Sequence, residues 1–536
     1  MTTLAEASGT SWDVIVIGTG MGGGTIGRYL AEQGLSVLFV ERGPTGVRAE
    51  EQELNPNIWD REARLVRGYW PEPLEATVNG MTTTFHAPLG AGVGGSSVFY
   101  AATLERPAPQ DLEHSDARPH PTGGWPVSYE EMAPYFDRAE ALYHVRGTPD
   151  PLQPDGNLFP PTVMSATDQG LMSAMKDIGL TPYRGHMAVR EEDGFEQYLG
   201  RKCPNDCKMD GRSAGVEPAL ETGNAALLDF CEVQEILSKD GTVIGLNVAC
   251  KNKEATLTAR SYVLAAGALH SPRLLMASGN LGNGNDLVGR NLMFHLNEMF
   301  ALWPPKGKHS AGASKSLAFR DLYHQDGQRF GMVQALGVEA RYGEIVHYLN
   351  MAFDRSPLRK LGWLRQFTRL PAAIAVKLFG SAKIFVGIVE DLPYAENRVF
   401  HDPADPHRLA ITYDMAPELL SRRKAFRKAL KQRLKGIRMA FTGAGPELNF
   451  GHPCGTLRFG DDPKTSVLDR NCKVHGTKNL WVADASFMPT SMGVNPSLTI
   501  AANAPRVGEV VAAAPAGTPK AQSHGGARAA RAAVEG

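Results

Sequence analysis

The chain has 536 residues, 43% of them hydrophobic, and a formal net charge of −1. That length exceeds a single hydrophobic core and predicts two domains or one interleaved pair, while the near-zero charge supplies no field to gather nucleic acid. Six cysteines (Cys203, Cys207, Cys231, Cys250, Cys454, Cys472) are too few and too scattered for a disulfide scaffold in a chain of this size.

The opening MTTLAEASGTSW lacks a basic, apolar leader pattern. No apolar run reaches the roughly 18 residues of a bilayer span, so a cytoplasmic enzyme is expected. Asp13–Ile17 is an apolar run of the kind buried in a parallel sheet. It leads into Gly18-Thr-Gly20-Met-Gly-Gly23, a GxGxxG where a strand turns into a helix expected over Thr25–Gln33. Leu35–Val40 is a second buried strand ending on Glu41, 23 positions after Gly18, where a carboxylate accepts from ribose hydroxyls. The helix start offers free N–H groups and partial positive charge to a pyrophosphate. This unit predicts dinucleotide binding.

Residues 41–88 read as irregular, with Trp59, Tyr69 and Trp70 as packing points. Leu89–Tyr100 is so rich in glycine that it suggests backbone pressed against a ligand. Ser128 and Glu131 are spaced as a capping box before a helix carrying Met132, Tyr135, Phe136, Ala139 and Leu142. Cys203 and Cys207 have no second Cys/His pair of suitable spacing for tetrahedral zinc and read as a reduced loop. Strands are expected over Cys231–Leu237, Thr242–Val248 and Ala255–Ala265. A second strand–glycine turn–helix follows over 262–275, with Pro272 in the first helical turn.

From about Asn297 to Asn449 the texture changes, with polar-faced strands expected over Arg329–Glu339 and Val346–Phe353 and a basic helix over Ser421–Phe441. Arg355–Val389 has no acidic residue and interleaves seven cations with Leu358, Leu361, Trp363, Leu364, Phe367, Leu370, Ile374 and Phe379. An ordinary helix pair over the pocket mouth is the preferred reading, and docking on an anionic membrane surface stays open. Near the C-terminus, Asn479–Ala483 is a strand, Asp484 follows it, and Asn495–Ile500 opens a helix. Residues 512–536 are Ala/Gly/Pro-rich and expected to be disordered.

The first fingerprint, Gly94-Gly-Ser-Ser97, Ala266-Gly-Ala-Leu-His-Ser-Pro272, Val288-Gly-Arg-Asn-Leu292, Asn397-Arg-Val399 and the His-Pro-Cys-Gly-Thr…Asn-Pro ending occur in order. Together they resemble the glucose–methanol–choline (GMC) oxidoreductases, nearest to the branch with a His/Asn catalytic pair: cholesterol oxidases, pyranose oxidases and bacterial sugar or alcohol dehydrogenases. The resemblance implies an α/β fold: a Rossmann-like FAD-binding domain built from discontinuous segments, plus an α+β substrate domain with an antiparallel sheet. The implied segments are 11–110, 201–296 and 450–511 for FAD, 111–200 and 297–449 for substrate, and 512–536 as tail. It implies oxidation of an alcohol to an aldehyde or ketone by hydride transfer to flavin N5, with oxygen or a quinone as electron acceptor. His452 falls on the family's general base and Asn495 on the residue that orients the substrate oxygen. Cofactor contacts are implied at Gly18, Gly20, Gly23, Glu41, Gly94, Gly95, Ser96, Ser97, Val233, Ala266, Gly267, Ser271, Asp484, Ala485, Asn495, Pro496 and Ser497. Some relatives tether FAD through a histidine just after the Gly-Gly-Ser segment; here Val98-Phe99-Tyr100 stand there, so noncovalent FAD is expected, with His86 as an alternative tether. A flavoprotein lyase on the same scaffold and a nicotinamide-dependent dehydrogenase are the competing functions, and no metal is expected.

Overall fold

The computed structural model describes residues 1–46, 60–190, 200–307, 315–337, 345–346, 349–350, 353, 357–379, 382–443 and 445–514. Its centre is a five-stranded parallel sheet in the order Leu480–Val482, Ala259–Leu264, Trp12–Ile17, Val37–Val40, Ala225–Leu228. Both faces of such a sheet are covered, which is why its strands read as unbroken apolar runs. The first crossover helix is Met21–Glu32, four residues earlier than its expected start at Thr25. The three glycines of its first turn make this close entry feasible: a Cβ on Gly22 would lie 1.6 Å from the Ala483 carbonyl oxygen. The C-terminal helix Ser497–Ala513 packs on this helix and on Tyr129–Leu142. Ser128 and Glu131 form the expected capping box.

Beside it stands an antiparallel sheet in the order Met439–Phe441, Leu296–Leu302, Lys383–Val389, Val333–Ala335, Leu317–Phe319, Tyr183–Arg184, with Glu447–Leu448 also paired to Leu296–Leu302. Asn297 faces Ile388 across one ladder and Gln334 faces Val386 across the next. Strand side chains alternate. Gly387 therefore points the other way, against Phe426 of the helix Pro417–Arg433, whose ring would lie 2.3 Å from an added Cβ.

Several expectations need correction. Residues 41–88 are not irregular throughout: they hold a helix at Arg61–Val66 and a hairpin, Leu74–Val78 with Met81–Phe85, turning through Asn79 and Gly80 at positive φ. This hairpin joins Leu409–Tyr413 and Arg398–Phe400 in a four-stranded sheet. Where described, residues 345–353 are helical rather than extended. The basic helix ends at Arg433, and Met439–Phe441 is instead a sheet strand. Ala255–Ala265 divides at Thr258 into Lys253–Leu257 and Ala259–Leu264, which belong to different sheets. Cys231 and Cys250, opposed across an antiparallel ladder, form a disulfide, a single bridge rather than a scaffold. Cys203 and Cys207 are buried thiols with sulfurs 2.9 Å apart. Trp59 and residues 515–536 lie outside the described residues, and the final helix runs to Ala513.

Candidate active site

A cavity of about 930 Å³ lies between the two sheets and runs from the first glycine turn to His452 and Asn495. Its nucleotide end is lined by Gly18–Gly22, Glu41, Val233, Ala266 and Gly267. Gly95, Ser96, Ser97, Asp484, Ala485, Pro496 and Ser497 also face it. Three expected contact residues stand behind that wall. Gly23 packs on the turn, where a Cβ would sit 2.1 Å from the Gly18 carbonyl oxygen. Gly94, at φ +94°, lies against Val98 and Arg212. Ser271 donates its hydroxyl to Asp484. His86 is not among the lining residues, whereas Phe99 and Tyr100 are.

The wall fits a flavin dinucleotide. Around the Cβ position of Gly20 nothing lies within 4 Å although the residue lines the cavity, so its backbone is open to a close ligand. Gly20 caps the helix Met21–Glu32 without a side-chain hydrogen bond, and Pro496 does the same for Ser497–Ala513. Two helix N-termini with open N–H groups thus meet one cavity, suited to a diphosphate and to a ring that gains negative charge. Glu41 is buried and holds the turn itself: its carboxylate accepts from Thr19 N at 3.1 Å, Thr19 Oγ1 at 2.6 Å and Gly43 N at 3.2 Å. Asp484, one of the expected cofactor contacts, lines the cavity, and its carboxylate accepts from Gly267 N, Ser271 Oγ, Ser486 N and Ser486 Oγ. Four donors fill the usual acceptor positions of a carboxylate. Asp484 therefore fastens the second glycine turn to the C-terminal segment.

At the far end His452 lines the cavity, and behind it lies His295, fully buried. His295 Nε2 is 3.0 Å from the Met492 carbonyl oxygen, which can only accept, so this nitrogen carries the ring proton. Burial lowers the His295 pKa to about 4, so the ring is neutral near pH 7 and Nδ1 keeps a lone pair. Nδ1 of His452 approaches that lone pair at 3.2 Å, with the rings at 88°. The contact closes as a hydrogen bond when His452 carries its proton on Nδ1, which leaves Nε2 basic. Asn449 Nδ2, also 3.2 Å from Nδ1, competes by donating. Asn449 lines the cavity and has other outlets for its amide, whereas His295 Nδ1 is sealed, and orphaning a buried acceptor costs about 1–3 kcal/mol. Burial, then His295 and Lys315, hold His452 well below the usual histidine value.

Asn495 is buried, and its Oδ1 accepts from Gln334 Nε2 at 3.1 Å, which turns the Asn495 NH₂ away from Gln334. Lys315, pushed down to about 7 by burial, donates to the Ala101 carbonyl at 3.1 Å and faces the same space. Asn297 lines the cavity, and its Oδ1 is buried with no hydrogen-bond partner among the described residues. Val386, Ile388 and Leu336 supply apolar wall. Sequence reading missed His295, Asn297, Lys315, Gln334 and Asn449. His295 stood three residues beyond the recognised Val288–Leu292 motif. The others had no local signal, because the fold brings them together from segments far apart in the chain.

Two models for GMC oxidoreductases match residues 12–297 and 390–504. The chain is 27% identical to a 2-methyl-1,2-propanediol dehydrogenase of Mycolicibacterium austroafricanum, over 95% of this chain and 96% of that one. It is 28% identical to a paromamine 6'-oxidase of Streptomyces fradiae, over 94% and 91%. Among solved structures, pyridoxine 4-oxidase from Mesorbium loti superposes with a TM-score of 0.60 at 20% identity, covering 93% of this chain and 99% of that one.

Proposed function

The chain belongs to the GMC oxidoreductases, and from that premise we propose that His452 removes the hydroxyl proton of an alcohol while Asn495 holds its oxygen. The protein is a FAD-dependent oxidoreductase acting on CH–OH groups. Bound FAD supplies the hydride acceptor. In our reading it is held noncovalently, with its diphosphate at the Gly18–Gly22 turn and its ring beside Asn495–Ser497.

The observation that carries the mechanism is the His452–His295–Met492 chain, which favours a proton on Nδ1 of His452 and a free lone pair on Nε2. The hydroxyl proton passes to that Nε2 as the carbon gives up its hydride, so the alcohol leaves as a carbonyl compound. Asn495 cannot titrate. With Oδ1 taken by Gln334, its NH₂ donates to the substrate oxygen and fixes the approach of the C–H bond. His295, Gln334 and Asn449 touch neither reacting atom and act by positioning.

The polar side chains of Asn297, Gln334 and Lys315 in the cavity wall bear on the substrate class. A second hydroxyl or amine on the substrate would hydrogen-bond to such groups. We therefore propose a diol or amino alcohol. The names of the two relatives point the same way, one an oxidase of paromamine and one a dehydrogenase of a diol. They differ in acceptor type, and either oxygen or a quinone fits our reading.

The test is a panel of diols, amino alcohols, sugars, sterols and simple alcohols mixed anaerobically with the yellow holoenzyme, followed by reoxidation with air or a quinone dye. Bleaching by diols or amino alcohols ahead of matched monoalcohols is expected. A substrate that turns over while the flavin stays oxidised would indicate a lyase.

A further inference from the structure

Between Arg355 and Val389 there is no acidic residue, against seven lysines and arginines. The described part forms two short 3-10 helices, Pro357–Lys360 and Gly362–Thr368, running into the helix Arg369–Phe379. Of the thirteen large hydrophobic side chains exposed among the described residues, six fall in this segment: Leu358, Leu361, Trp363, Phe367, Leu370 and Ile374. Trp363, Leu370 and Ile374 are each more than 60% exposed. Lys360, Arg365, Arg369 and Lys377 are exposed among them. Ala372, fully buried, marks the side by which the helix rests on the body.

So concentrated an apolar patch on one short segment signals something that covers it. A second copy of the chain is a poor match, because a two-fold contact through this face would set its cations against one another with no carboxylate of the segment to balance them. A bilayer with anionic headgroups answers both features at once. Its acyl boundary takes the aromatic and aliphatic groups, and its phosphates take the cations. The strand Lys383–Val389, which follows directly, carries Val386 and Ile388 in the cavity wall, so the patch and the wall are adjacent in the chain.

We propose that residues 357–377 form a peripheral lipid-binding surface, laid on an anionic bilayer with Trp363, Phe367, Leu370 and Ile374 at the acyl boundary and Lys360, Arg365, Arg369 and Lys377 at the headgroups. The holoenzyme should co-sediment with phosphatidylcholine vesicles containing phosphatidylglycerol and remain free with phosphatidylcholine alone. Binding should fall as salt rises from about 0.05 M to about 0.5 M. Trp363→Ser with Ile374→Ser, and separately Lys360→Glu with Lys377→Glu, should each lower partitioning about 10-fold or more. Flavin content and the bleaching rate with a water-soluble alcohol should stay unchanged. With Trp363→Phe, binding should persist while quenching of tryptophan fluorescence by brominated lipid drops. Absence of co-sedimentation, or binding by the Ser pair or the Glu pair equal to that of wild type, overturns the proposal. So does a vesicle-independent change from dimer to monomer in the Ser pair, which would assign the patch to a protein interface.

Discussion

At the scale of single residues, the mechanism depends on which nitrogen of His452 holds the proton. His452→Ala should purify yellow, because the cofactor's main contacts lie elsewhere, and should reduce its flavin about 10²–10⁴-fold more slowly under anaerobic stopped flow. His295 separates positioning from bulk. In His295→Gln the side-chain NH₂ can still donate to the Met492 carbonyl while Oε1 accepts from His452 Nδ1, so the reduction rate should stay within about 10-fold of wild type. His295→Leu removes the acceptor, hands Nδ1 to Asn449 and moves the proton to Nε2, so about 10²-fold or more should be lost at unchanged flavin content. Equal rates in the Gln and Leu variants would show that the tautomer does not matter. The general base was legible in the sequence because His452 stands in a dense motif; its controller was not, since His295 reaches it across 157 positions.

At the scale of elements, the first glycine turn divides its labour in a way that can be measured. Gly20→Ala adds a methyl into open cavity space at a φ of −63°, which alanine accepts. That variant should fold, keep its secondary structure by circular dichroism, and lose roughly 10-fold or more in FAD affinity by fluorescence titration. Gly23→Ala instead drives a Cβ to 2.1 Å from the Gly18 carbonyl oxygen, so it should fail as a folded protein rather than as a binder. The same turn shows why this part of the fold could be read from sequence: strand, glycines, helix and acid are contiguous, and each local preference agrees with the others. Elsewhere the local signal was ambiguous or overlooked. Val346–Phe353 is a short apolar stretch whose period does not separate strand from helix. Ser421–Phe441 reads as one helix because no proline or glycine breaks it before Gly436, which takes a φ of +114°. Asn79-Gly80 between Val78 and Met81 was a plain two-residue hairpin signal, and its alternating flanks do form one.

At the scale of the whole molecule, the two sheets are joined around buried ionisable groups, and these set how stability responds to pH. His295 has its pKa lowered from the ordinary histidine range to about 4 by burial. Between about pH 6.5 and 4 the unfolded chain therefore binds a proton there that the folded one refuses, so stability rises with pH in this window and is lost on acidification. A complete shift of that size corresponds to roughly 3 kcal/mol. Glu105 adds to the acid side. Burial would raise it, but His186 and then Arg320 beside it hold it down to about 2, so its contribution is present above the ordinary glutamate value and fades as pH falls toward 2. The thermal midpoint of the holoenzyme should accordingly drop between pH 7 and 5, and more steeply below. In His295→Gln, which does not titrate, the decline between pH 6.5 and 5 should be shallower than in wild type. Parallel curves for the two proteins would mean that His295 is charged, or solvated, in the folded state, and the proton assignment at His452 would lose its anchor.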